Sequence, residues 1–320
     1  MPSVTWAGRS HQLAAGETVL DGLLRNGIEV AHACKAGSCG SCMLRAVAGE
    51  IAPRAQAGLK DSWKTRGYFL SCMCVPEASL ELAEVGAEAR IPAQITAVDH
   101  LSDDVLRIRL LPERAFEFRA GQYLTLIRDS GLARSYSLAS LPNERELELH
   151  VRLIPHGRMS TWLSQPETIG SNVQLQGPSG ECFYIPGREE QPLLLAGTGT
   201  GLAPLWGIVH DALQQGHTGP IHLFHGALRP GGLYLREQLE ALAASRSHFS
   251  YTPTVLNGPE EGRISVGAID SIIGTTYPKL VGWRGFVCGD PTLVRSLKRK
   301  LFLAGIAMGD IYSDAFLPSV

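Results

Sequence analysis

Three regimes of hydrophobic patterning divide the chain. In the first, Val19, Leu20, Leu23 and Leu24 recur at helical spacing after Thr18, and Gly27 offers a stop, so a short amphipathic helix is predicted over residues 18–27. Trp6 to Leu13, Met43 to Ala48 and Leu80 to Leu82 are predicted strands around it. An Ala/Glu-rich link from Glu81 to Ala89 follows, and this part ends near Glu88. The second regime, from Ala93 to about Pro186, alternates. Leu106, Ile108 and Leu110 share one face with Arg107 and Arg109 on the other, and Leu147, Leu149, Val151 and Leu153 alternate with Glu148, His150 and Arg152. Several such runs at short spacing predict an antiparallel barrel. In the third regime, continuous apolar runs lead into helical segments: Leu193–Ala196 into Leu202–Leu213, Ile221–Phe224 into Leu233–Leu242, and Phe286–Cys288 into Pro291–Leu303. That alternation predicts a parallel sheet with helices on both faces.

Composition narrows the picture. The 320 residues suggest two or three domains, and 44% hydrophobic with 19% charged residues describes an ordinary globular protein. A net charge of -2 gives no reason to expect nucleic acid as a partner. The opening residues lack a basic region followed by an apolar core, so no signal peptide is read. The most apolar window, Pro192 to Val209, is interrupted by Gly197, Gly199 and Gly201 and reads as a loop, not a membrane span. A cytoplasmic protein is expected. Seven cysteines suit a reducing compartment better than a disulfide framework.

Four of them, Cys34, Cys39, Cys42 and Cys72, stand at C-x4-C-x2-C…C, the spacing of plant-type [2Fe-2S] ligands. Gly37, Ser38, Gly40 and Ser41 between them let the backbone curl and aim N–H groups at sulfur. A zinc site is the competing reading, although a zinc ribbon would show two equal C-x2-C knuckles. Cys74, Cys182 and Cys288 are left over, Cys182 as a small packing residue.

Further motifs lie downstream. Arg134-Ser135-Tyr136-Ser137 ends a barrel strand and offers a cation, an aromatic face and hydroxyls to a flat heterocycle bearing phosphate, or is merely a polar strand. Gly157-Arg158-Met159-Ser160-Thr161 follows the strand ending at Leu153, and its Ser160-Thr161 pair stands where a helix should begin, as a phosphate-binding turn or a plain cap. Gly197-Thr198-Gly199-Thr200-Gly201, with Pro204 in the first helical turn, joins a buried strand to a helix, where it either approaches a pyrophosphate or makes a structural turn. Cys288-Gly289-Asp290-Pro291 repeats that context, so both loops are expected at one crevice, with Cys288 beside a cofactor or simply a buried strand-end thiol.

In this order, and with the ending Ile311-Tyr312-Ser313-Asp314-Ala315-Phe316, the motifs resemble the ferredoxin-reductase superfamily across the whole chain. The arrangement is similar to the reductase components of bacterial aromatic-ring oxygenases, most of all the naphthalene dioxygenase reductase type. The resemblance implies a multidomain α+β and α/β fold: a β-grasp [2Fe-2S] ferredoxin over 1–88, a six-stranded antiparallel flavin-binding barrel over 93–187, and a doubly wound nicotinamide-binding domain over 188–320. It further implies FAD and NADH as cofactors. Arg134 would bind the flavin pyrophosphate, with Ser135 beside it, Tyr136 would pack on the isoalloxazine, and Ser137 would donate near N5. His150 and Val151 would line the flavin, Gly157 to Ser160 would hold its phosphates, and Phe316 would cover its face until nicotinamide arrives, unless it is only a C-terminal anchor. Ser137, Cys288 and Phe316 are thereby the catalytic candidates. Two departures stand out: an arginine common two residues after the position of Gly226 is Leu228 here, with Arg229 next, and Cys74 occupies a site that is often a non-ligand.

These cofactors imply a mechanism. Nicotinamide delivers two electrons together, an iron–sulfur cluster accepts one, and flavin mediates between them. No metal set or nucleophilic triad for oxygen chemistry is read in the chain, so the expected partner is a separate ferredoxin or terminal oxygenase, with no nucleic acid and no membrane. The alternatives are the same relay serving a deoxysugar dehydrase or a cytochrome P450, and a non-enzymatic iron or redox sensor. Neighbouring genes would separate the first two, and NADH-driven dye reduction would separate both from the third.

Overall fold

A computed structural model describes residues 2–59, 61–83, 90–128, 131–258 and 262–316. Three sheets correspond to the three regimes. The link after Ala83 and the end near Glu88 lie outside the described residues.

The first sheet comprises β1 (Ser3–Trp6), β2 (Arg9–Gln12), β3 (Met43–Ala48), β4 (Tyr68–Leu70) and β5 (Leu80–Ala83), in the order β2-β1-β5-β3-β4. Trp6 to Leu13 is therefore not one strand. Ala7 and Gly8 both take positive φ (48° and 76°), the turn that joins two-residue hairpins, and β1 folds back on β2. Helix α1 (Val19–Arg25) follows the reading closely: Thr18 caps it by accepting the Asp21 N–H, and Val19, Leu20 and Leu23 are buried. A short helix α2 (Asp61–Lys64) precedes β4.

The second sheet has β6 (Ile91–Ser102), β7 (Val105–Pro112), β8 (Tyr123–Ile127), β9 (Ala133–Ser137), β10 (Leu147–Arg152) and β11 (Asn172–Ser179) in the order β10-β7-β6-β11-β8-β9. An antiparallel bridge between Leu138 and Leu149 brings its two edges together, which closes the barrel. Its interior is filled by the alternating residues, among them Leu106, Ile108, Leu110, Leu147, Leu149 and Val151. Helix α3 (Arg158–Leu163) lies between β10 and β11.

The third sheet is parallel, in the order β15-β14-β13-β12-β16-β17, built from β12 (Leu193–Thr198), β13 (Ile221–Ala227), β14 (Phe249–Val255), β15 (Ser265–Val266), β16 (Arg284–Gly289) and β17 (Ile311–Ala315). Helices α4 (Leu202–Gln214) and α5 (Arg236–Ser245) cover one face, and α6 (Ile269–Thr276) and α7 (Pro291–Leu303) the other. Leu193 and Leu195 enter the core under α4, whereas Leu194 and Ala196 enter the core under α7, so both faces of β12 are dry and its sequence is unbroken in apolar residues. Helix α5 starts at Arg236 and not at Leu233, because a tight turn at Pro230–Gly232 and left-handed Leu235 (φ 53°) come first. Among the described residues no helix is long and apolar enough to cross a membrane.

Candidate active site and cluster loop

The cysteine loop runs from α1 to β3 and is curled by left-handed backbone at Lys35, Gly37 and Gly40 (φ 49°, 75° and 71°). A Cβ at Gly37 would meet Met73 Cγ at 2.9 Å, so glycine serves there for space as well as for φ. The curl turns N–H groups onto sulfur. Ala36 and Cys39 donate to Cys34 Sγ at 3.3 and 3.4 Å, and Ser41 Oγ lies 2.9 Å from Cys39 Sγ. The thiols act on one another most strongly in two pairs, Cys34 with Cys39 and Cys42 with Cys72. Two sulfurs for each of two irons is the ligand pattern of a [2Fe-2S] centre, whereas one zinc ion would draw four ligands to a single point. The residues present therefore fit the cluster. Cys74 stands apart, fully buried beside Arg54, with burial raising its thiol pKa, and its carbonyl accepts the Val19 N–H at 2.8 Å.

The barrel grips this loop directly. Tyr123 Oη donates to the Ser38 carbonyl at 2.7 Å, Thr125 Oγ1 to the Cys39 carbonyl at 3.0 Å, and Gln176 Nε2 to the Gly40 carbonyl. Thr125 also bonds Ser135 Oγ at 3.2 Å. A small apolar contact of Ala31 with Ile127 and Ala133 seals the same junction. None of Tyr123, Thr125 or Gln176 was legible as a site residue, since each lies more than eighty positions from its partner.

On β9, Arg134 has its Nη1 on the Ala133 carbonyl at 2.7 Å and no carboxylate partner among the described residues. Burial, and then the charge of Arg158, lowers its pKa. Two guanidinium groups that repel one another without an anion between them suit a pyrophosphate. Tyr136 is beside it on the same face of the strand, and burial raises its phenol pKa, keeping it neutral. These side chains fit a flavin diphosphate.

Ser137 has a partner that the sequence did not reveal. Its Oγ donates to Asp314 Oδ2 on β17 at 2.9 Å, joining the barrel to the parallel-sheet unit. Burial raises the Asp314 carboxyl from 3.8 to about 6, with the Ser137 bond opposing.

Other expected residues contribute differently. His150 has a fully buried side chain between Tyr234 Oη (3.1 Å) and Glu148 Oε1 (3.0 Å), and burial lowers its pKa, so it works as a neutral strut between units. Val151 and Met159 belong to the barrel core, which leaves only their backbone for a ligand. Helix α3 starts earlier than expected, with Gly157 at its cap, and Ser160 Oγ ties back to the Ile154 N–H at 3.1 Å. Ser160-Thr161 is thus inside the helix, whose first-turn N–H groups have no partner within the helix itself.

At the carboxyl ends of the parallel strands lies a crevice of about 1040 Å³ lined by Thr198, Gly199, Thr200, Arg229, Gly289, Asp290 and Phe316, among others. Both glycine-bearing loops do face it. A Cβ on Gly197 would strike Leu205 at 2.8 Å and one on Gly201 would strike the Cys288 carbonyl at 2.4 Å, so these two glycines are demanded by packing, and Gly199 (φ 54°) is the one open to the crevice. Pro204 is buried in the first turn of α4. Asp290 caps α7 by accepting the Thr292 and Leu293 N–H groups at 2.8 and 3.1 Å, with Pro291 as first helical residue. The Cys288 thiol is turned away into the core, fully buried with its Sγ 3.6 Å from Cys182 Sγ, as a strand-end packing residue would be. Phe316 is anchored by its N–H on the Gly289 carbonyl at 2.8 Å and lines the crevice. Another opening of about 870 Å³, at Arg114, Glu117 and Arg145 on the barrel, contains none of these groups.

Comparison with known proteins agrees with this geometry. Residues 4–77 match the 2Fe-2S iron-sulfur cluster binding domain, 92–184 the oxidoreductase FAD-binding domain and 195–299 the oxidoreductase NAD-binding domain. The chain is 33% identical to the ferredoxin–NAD(P)(+) reductase component of the naphthalene 1,2-dioxygenase/salicylate 5-hydroxylase systems of Ralstonia sp., over 95% of this chain and 94% of that one. It is likewise 33% identical to the naphthalene 1,2-dioxygenase reductase component of Pseudomonas putida, over 95% of each. The crystal structure of an Amycolatopsis cytochrome P450 reductase superposes with a TM-score of 0.71 at 29% identity, covering 99% of both chains. With its iron–sulfur, FAD-binding and NAD-binding units in this order, the chain belongs to the family of iron–sulfur flavoprotein reductases that serve as reductase components of aromatic-ring oxygenase systems.

Proposed function

We propose that this oxidoreductase takes hydride from NADH and sends single electrons to a ferredoxin or directly to the terminal component of an aromatic-ring oxygenase. The observation that carries this reading is that one strand, β9, touches both ends of the relay: Ser137 bonds Asp314 beside the nicotinamide crevice, and Ser135, through Thr125, bonds Cys39 of the cluster loop. When bound, FAD accepts a hydride and the [2Fe-2S] cluster passes on one electron at a time. The protein's own part is to bind, orient and handle protons. Arg134 and the first turn of α3 hold the pyrophosphate, Tyr136 supports the ring system, and Phe316 shields the crevice until nicotinamide displaces it. A hydride brings a proton that must leave separately once electrons depart singly. Ser137 Oγ and the Asp314 carboxyl hold that proton. Cys34, Cys39, Cys42 and Cys72 hold the cluster.

NADH is favoured over NADPH, because Arg229 and Arg152 are the cations at the crevice and Arg152 faces Asp104 (3.6 Å). Domain limits of 1–88, 93–187 and 188–320 and a cytoplasmic location complete the reading; all seven cysteines are free thiols. The test is Cys72→Ser. It spares NADH-driven reduction of ferricyanide, which takes electrons from the flavin, and abolishes reduction of the oxygenase partner or cytochrome c. A cluster-free variant that feeds its partner at full rate refutes the order of the relay.

A further inference from the structure

We propose that Tyr123 and Gln176 of the barrel set the reduction potential of the cluster by polarising the peptide groups that hold its sulfurs. The inference rests on the two-iron reading of the cysteine loop. Each residue acts on one peptide unit that adjoins a ligand. Tyr123 Oη donates to the Ser38 carbonyl at 2.7 Å, and the N–H of that same peptide, on Cys39, donates to Cys34 Sγ at 3.4 Å. Gln176 Nε2 donates to the Gly40 carbonyl, and that peptide carries Ser41, whose Oγ lies 2.9 Å from Cys39 Sγ. A carbonyl that accepts a hydrogen bond makes its own N–H a stronger donor, since chains of hydrogen bonds polarise one another. Stronger donors on sulfur favour the form with the additional electron. Both chains end on one sulfur pair, Cys34 and Cys39. Tyr123 is half-buried, which keeps its phenol protonated, and Gln176 is 6% exposed, so the Gln176 donor is shielded from water.

Docking of the cluster unit and reduction of the cluster are then linked, and linkage is reciprocal: docking makes the cluster easier to reduce, and a reduced cluster docks more firmly. Loosened docking without this effect has the opposite sign, because water admitted to the loop would stabilise the more charged, reduced form and raise the potential.

The test is a dithionite redox titration of the full-length protein, followed by electron paramagnetic resonance and iron analysis. Tyr123→Phe removes only the hydroxyl and lowers the equilibrium constant for reduction about three- to tenfold, tenfold being 59 mV for one electron. Gln176→Leu gives a smaller fall, because the Gly40 carbonyl keeps the Met43 N–H at 3.0 Å. Thr125→Val is the control: it also loses a bond to the loop, but no sulfur contact is shown for its peptide, and it moves the potential less than Tyr123→Phe. An unchanged or raised potential in Tyr123→Phe, or an equal fall in Thr125→Val, overturns the proposal while leaving the function intact. A wild-type protein without iron overturns both.

Discussion

Asp314→Asn separates the proton-holding role of Asp314 from a structural one. Asparagine keeps the shape and can still accept the Ser137 hydroxyl, now 2.9 Å from the carboxylate, but it cannot titrate in this range. With its carboxyl near 6, Asp314 is about 10% ionised at pH 5 and about 90% ionised at pH 7. If the carboxylate accepts the departing proton, wild-type turnover rises with pH through about 6 and levels off. A positioned acid or base is worth about 10²–10⁴ in rate; water has some access here, so a loss of about tenfold to a hundredfold at pH 7.5 is expected. Stability moves the other way. A folded-state pKa above the ordinary 3.8 means the folded chain holds the proton more tightly, so stability falls as pH rises through the window from about 4 to 6. Two pK units set a ceiling of about 3 kcal/mol, and the remaining solvent contact brings this to about 1–2 kcal/mol. The assay is a pH series of partner or cytochrome c reduction alongside thermal unfolding of both proteins. Asp314→Asn turns over slowly at every pH without the limb near 6, and is more stable than wild type at pH 8 but not at pH 4. A variant that keeps the limb, or works at wild-type rate, refutes the role.

Cys74→Ser retains two irons per chain and the visible spectrum of the wild type, because Cys74 is buried away from the paired thiols; iron analysis decides it. Arg229→Ala lowers the residual kcat/KM for NADPH and leaves that for NADH within about threefold, as expected for the exposed cation nearest a 2′-phosphate; a higher wild-type kcat/KM for NADPH would sink the NADH preference. Phe316→Ala leaves flavin bound and changes nucleotide affinity or selectivity, whereas unchanged steady-state kinetics would make it a mere anchor.

Much of this molecule is local, and the local part was legible. Helix α7 runs over Pro291–Leu303 as its pattern required, because Asp290 caps it, Pro291 opens it, and Val294, Leu297 and Leu301 fall on one face. The cysteine loop was readable for the same reason, since three ligands lie within nine residues. Short-range signals failed where two structures share one pattern: the alternation from Trp6 to Leu13 suits a strand and hides the Ala7-Gly8 turn. Gly197 and Gly201 show a different limit, because a glycine pressed by a neighbouring backbone and a glycine open to a ligand look identical in sequence. Long-range pairs left no trace. Asp314 is ordinary until β17 pairs with β16 and brings it to Ser137, 177 positions earlier.

Chain order and electron order differ, and β9 explains how the fold reconciles them. The cluster unit comes first in the sequence yet last in the relay, so the middle unit must touch both neighbours. A strand does this economically, because its side chains alternate. Tyr123, Thr125 and Ile127 of β8 face Ser137, Ser135 and Ala133 of β9 in register, and this shared face meets both outer units: Ile127 and Ala133 pack on Ala31, Thr125 bonds Cys39, and Ser137 bonds Asp314. On the opposite face Arg134 opposes Leu126 and Tyr136 opposes Leu124, and Tyr136 packs against the barrel core to which both leucines belong. At roughly 3.4 Å per residue, Ser135 and Ser137 are about 7 Å apart along the strand. Input and output contacts are therefore fixed by one stretch of hydrogen-bonded backbone. Because the two contacts share no partner, Thr125→Val and Asp314→Asn should have additive effects on the free energy of turnover, and a strong departure from additivity would show that the outer units sense one another through this strand.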